Sequence, residues 1–93
     1  MSMHFDPRRL RANEARLNIT FDGQNADLPA PVPFGASDAQ IKAWAREAIA
    51  TGALGTPRAY RDVDLASFVV DRFSATEKVP ENRIFLRPVT PFG

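Results

Sequence analysis

The stretch from Arg16 to Thr51 constrains this 93-residue chain most tightly. Leu17, Ile19 and Phe21 alternate with Asn18 and Thr20, the period of a strand with one buried face. Asp22-Gly23 follows and suits a tight turn, because glycine accepts a positive φ without a Cβ clash. Beyond it, Ala30, Val32 and Phe34 alternate with Pro29, Pro31 and Pro33. Successive N–H groups of an extended chain point to opposite edges. Prolines at every second position therefore strip donors from one edge only. A strand over roughly Ala26–Phe34 would then be a protected sheet edge; a polyproline-like connector is the rival reading.

A helix from Asp38 to about Thr51 comes next. Ser37 as N-cap and Gln40 three residues later make a capping box. Ile41, Trp44, Ala45, Ala48 and Ile49 form the apolar stripe. Asp38 and Lys42 stand one turn apart and are expected to pair. Gly52 suits the left-handed residue that ends a helix. Trp44, in mid-stripe, is expected in the core.

The rest is less regular. Residues 53–64 hold Gly55, Pro57 and several charges and read as an irregular connection. Leu65, Phe68, Val69 and Phe73 fit a helical stripe, but Phe68-Val69-Val70 favours a strand over Ser67–Phe73. A polar turn spans 74–82. The last strand is Arg83–Arg87, with Ile84 and Leu86 on one face and Arg83, Phe85 and Arg87 on the other. Asp6-Pro7 can open a short helix reaching about Ala15; a frayed basic arm over residues 1–15 is the alternative. Residues 16–93 then make one domain with a tail over 88–93.

A chain of this length can bury one modest core. Apolar residues make up 44% of it, as in globular proteins and unlike disordered ones. With no cysteine, disulfides, thiolate catalysis and cysteine-rich zinc sites are excluded. No apolar run approaches the ~20 residues of a membrane span, and the N-terminus lacks the apolar stretch of a secretory signal. The expectation is a soluble cytoplasmic protein without membrane contact.

Strand, glycine turn, strand, serine-capped helix and late strands: this order resembles the ubiquitin-like β-grasp family, over about residues 16–52 and 83–93. The segment IFLRPVTPFG resembles that family's last strand, which carries an arginine at its end and runs into a tail finishing in glycine. The resemblance implies an α+β domain, ββα followed by two or more strands, with a mixed sheet on one main helix. In modifier members the terminal glycine carboxylate is joined to a target amine, and Gly93 holds the matching position. The chain ends Phe92-Gly93 rather than in a glycine pair, and Pro88 and Pro91 stiffen the tail.

Chemistry-bearing residues are sparse. His4 is the only histidine and has no partner in the pattern. Asp62, Asp64 and Asp71 lie among Arg58, Arg61 and Arg72, a setting for loop capping and ion pairing. Ser37 is absorbed as a cap, and the five glycines are too scattered for a phosphate loop. A non-enzymatic protein needing no cofactor or metal is therefore expected. Its function would be protein interaction, through Arg83, Phe85, Arg87, Phe92 and Gly93. Conjugation through Gly93 is an alternative. So is nucleic-acid binding through Arg8, Arg9 and Arg11, with the Arg83–Phe85–Arg87 face as a stacking surface, although the net charge is only +1. A structural role in a phage or other assembly is a further one. The partner's identity and the oligomeric state are not encoded in any motif.

Overall fold

The computed structural model describes residues 10–52 and 64–89. Among these residues the fold is an α+β arrangement of one helix and a mixed five-stranded sheet. The elements are β1 (Glu14–Phe21), β2 (Gln24–Asp27), β3 (Val32–Pro33), α1 (Asp38–Ala50), β4 (Val69–Phe73) and β5 (Asn82–Arg87). The strand order is β2-β1-β5-β4, with β3 also on β1.

Alternation sets the faces. Ala15, Leu17 and Ile19 of β1 are fully buried, while Arg16, Asn18 and Thr20 between them are not. Ile84 and Leu86 of β5 are also fully buried. β1 and β5 run parallel, with Leu17 beside Ile84 and Ile19 beside Leu86. A one-residue slip would turn both apolar sets outward, so burial holds this register. The opposing layer is α1, which contributes Ile41, Ala45, Ala48 and Ile49 to the same core. Leu65 completes it from the segment before β4. Trp44 is half-buried and packs against the core edge.

The turn between β1 and β2 is a two-residue hairpin. Phe21 faces Gln24, and Asp22 and Gly23 take φ of 51° and 76°. Positive φ at both central residues is the geometry of the type I′ turn, whose twist matches that of the strands.

The proline segment departs from a continuous edge strand. β2 stops at Asp27, β3 is only two residues long, and both lie end to end along one edge of β1. Proline holds φ near −65°, close to polyproline geometry, so the chain bulges away between them. Arg16 fills the breach: its Nη1 donates to the carbonyls of Leu28 (3.5 Å) and Pro29 (3.1 Å). Phe34 N–H does donate to β1's approach, at Asn13 O (2.9 Å).

The capping box is present in full. Gln40 N–H donates to Ser37 Oγ and Ser37 N–H to Gln40 Oε1, each at 3.2 Å. Gly52, at φ 79°, follows the last turn and donates to Ile49 O. The expected Asp38–Lys42 pair is replaced by longer-range contacts. Asp38 accepts from Arg72 of β4 at 2.7 Å, and Lys42 Nζ donates to Ala66 O at 2.9 Å. Both anchor the helix to the β4 side of the sheet, which an i,i+4 pair would not do.

The short helix over Pro7–Ala15 is also corrected where it can be seen. Glu14 and Ala15 belong to β1, and residues 12–13 form a turn closed by Glu14 N–H on Arg11 O (3.0 Å). Pairing with β3 and β5 claims these residues for the sheet. The ambiguous segment after Leu65 is a strand, β4.

Candidate functional site

The helix covers one face of the sheet; the other face carries the polar and aromatic residues of the strands. Register places them together. Asp27, Asn18, Phe85 and Asp71 lie in one row across β2, β1, β5 and β4. Phe73 faces Arg83, and Val69 faces Arg87. Asn18, Asp71, Phe73, Arg83, Phe85 and Arg87 line a shallow depression of about 530 Å³.

The two halves of this face differ. The β1–β2 half is a closed hydrogen-bonding ladder. Asn18 and Asn25 exchange side-chain amide bonds at 2.7 and 3.1 Å. Asn18 also donates to Asp27 (2.8 Å), and Asn25 to Thr20 Oγ1 (2.8 Å). These groups satisfy one another across paired strands.

The β4–β5 half is aromatic and cationic. The rings of Phe73 and Phe85 meet edge to face, with centroids 5.6 Å apart and planes at 72°, a favoured geometry for an aromatic pair. Phe73 is 56% exposed even so. The guanidinium of Arg83 lies 4.8 Å above the Phe85 ring centre. Arg87 Nε donates to Asp71 Oδ2 at 3.0 Å. Arg16, next to Arg83 across the β1–β5 pair, reaches Glu81 at 3.5 Å.

The sequence-derived residues divide accordingly. Arg83, Phe85 and Arg87 share the open face, on the side away from the helix. Arg11 is exposed in the turn before β1, where its backbone bonds to Glu14. Arg8, Arg9, Phe92 and Gly93 lie outside the described residues, as do His4, Arg58, Arg61 and Asp62. Asp64 caps a turn by accepting from Ala66 N–H (2.9 Å), and Asp71 is the ion partner of Arg87. Arg72 faces the helix, donating to Ala36 O (2.8 Å) and Asp38.

Phe73 is the residue that sequence reasoning missed. The signal was there, because Phe73 and Asp71 share one parity of β4. What alternation does not supply is the β4–β5 register that brings Phe73 to Phe85.

A second concavity, lined by Leu28, Ala30, Pro31, Val32, Pro33 and Trp44, lies where the proline segment passes the helix. Among the described residues no group of His, Cys, Asp or Glu is placed to hold a metal ion, and no helix is long and apolar enough to cross a membrane. Comparison with protein families, curated proteins and solved structures returned no match.

Proposed function

We propose that this chain is a ubiquitin-like β-grasp domain that acts by binding another protein through the outer face of β4 and β5. Three features support the fold assignment: a β1–β2 hairpin preceding the helix, one helix across one sheet face, and first and last strands running parallel at the sheet's centre.

The observation that carries the function is the aromatic pair. Phe73 and Phe85 stand on the sheet face opposite the core, bordered by Arg83 and Arg87. Aromatic and arginine side chains are the residues enriched at energetic centres of protein interfaces. The carboxylates nearby are engaged in ion pairs, Asp71 with Arg87 and Glu81 with Arg16. That arrangement suits binding more than proton transfer.

The test is affinity purification with the intact chain and with a Phe85→Ala, Arg87→Ala variant, each shown folded by circular dichroism. The reading expects a partner retained by the intact chain and lost by the variant. Equal recovery of the same partners by both would overturn it.

A further inference from the structure

We infer that the outer face contains an anchor pocket for an acidic–apolar segment of the partner protein, with Arg83 meeting its carboxylate. This rests on the reading of the β4–β5 face as a protein-binding surface.

The pocket lies where the end of β4, the turn after it and the start of β5 converge. Phe73, Val79 and Phe85 wall a concavity of about 330 Å³. Phe73 is 56% and Val79 40% exposed, so both present apolar surface to water beside a recess. Adjacent exposed apolar groups around a concavity are a feature of interaction sites. The turn that presents Val79 is braced: Thr76 N–H donates to Val79 O (2.7 Å) and Val79 N–H to Thr76 Oγ1 (3.0 Å). Ala75 N–H is fixed on the buried Asn82 (2.8 Å). The pocket wall is thus tied to the sheet at its base.

Charge selects the occupant. Arg83 and its cross-strand neighbour Arg16 stand at this end of the face, and Arg87 at the other end of β5. Arg16 is held by Glu81 and Arg87 by Asp71. Arg83 lies over the Phe85 ring, and among the described residues no carboxylate pairs with it. A guanidinium laid on an aromatic ring keeps its in-plane N–H donors free, in a fork that matches a carboxylate. One uncompensated cation beside an apolar recess fits a Leu, Phe or Trp side chain with an Asp or Glu next to it. A polyanion fits poorly, because Glu81 lines the same pocket and Asp71 lies on the same face.

The experiment is selection of a displayed random-peptide library on the full chain, followed by fluorescence anisotropy of enriched peptides. Binding is compared for the intact chain, Arg83→Glu, Val79→Ser, and the Phe85→Ala, Arg87→Ala variant, all checked for fold. Enriched peptides should carry Asp or Glu beside a large apolar residue. Arg83→Glu should weaken them on the order of tenfold or more, the effect of losing a charge-assisted pair, and Val79→Ser should weaken them less. Peptides that lack an acidic residue, or that ignore Arg83→Glu while failing on the Phe85→Ala, Arg87→Ala variant, would overturn the pocket and leave the surface reading standing. Peptides indifferent to every variant would overturn both. No enrichment, or displacement of peptides by a short oligothymidylate, would also overturn the pocket.

Discussion

Leu17 of β1 and Ile84 of β5 stand side by side in parallel register, both fully buried. They join the first and last of the described strands at the centre of the sheet, so the core closes only when distant parts of the chain meet. Between them, α1 supplies Ile41, Ala45 and Ile49 as the opposing layer. Ile84→Ala would remove the middle of this contact. It should cost about 2–5 kcal/mol of stability, a large share of what a domain this size has. Urea unfolding of the two proteins gives the difference. A loss below about 1 kcal/mol would mean that the site is not packed as described.

Among the described residues Asn82 is the buried polar one, 8% exposed. Its Nδ2 donates to Ala12 O (2.8 Å) and Glu14 O (3.0 Å), and its Oδ1 accepts from Ala75 N–H (2.8 Å). One side chain therefore ties the approach to β1, the start of β5 and the turn after β4. Asn82→Ala leaves three backbone groups without this partner, and the cost of each is about 1–3 kcal/mol if it stays buried. Measured destabilisation should reach at least about 2 kcal/mol. Hydrogen exchange at Ala75 N–H should accelerate more than at the centre of β1.

Ser37 and Gln40 exchange reciprocal bonds at the helix start. Ser37→Ala should cost about 0.5–2 kcal/mol. Ser37→Asp should retain most of the stability, since a carboxylate can accept the same N–H and suits the helix N-terminus. Thermal unfolding of the three proteins reads this order, and an Ala variant as stable as the intact protein would contradict the cap.

Much of this was legible in local pattern. The alternation of β1 and β5 placed Leu17, Ile19, Ile84 and Leu86 inside and Arg83, Phe85 and Arg87 outside, because period two leaves one choice of face once a core exists. The helix stripe and its cap were equally local. The proline segment was not. Alternating donors are compatible with an edge strand, but proline's fixed φ draws the chain toward polyproline geometry, and the Arg16 guanidinium takes the Leu28 and Pro29 carbonyls. Asp38 and Lys42 also chose distant partners over each other. Spacing shows which residues can meet along a helix, not what the sheet later brings within reach. The pairing of Phe73 with Phe85 belongs to that second kind, being set by the register between β4 and β5.

The most direct test of the outer face is site-resolved photo-crosslinking in cells. A photoreactive benzoylphenylalanine is placed at position 85, on the open sheet face, or at position 43, where exposed Ala43 lies on the helix. The expected result is a discrete higher-mass protein adduct from position 85, absent from position 43 and lost when Arg83 and Arg87 are both replaced by Glu. Adducts formed equally from both positions, or from position 43 alone, would contradict it.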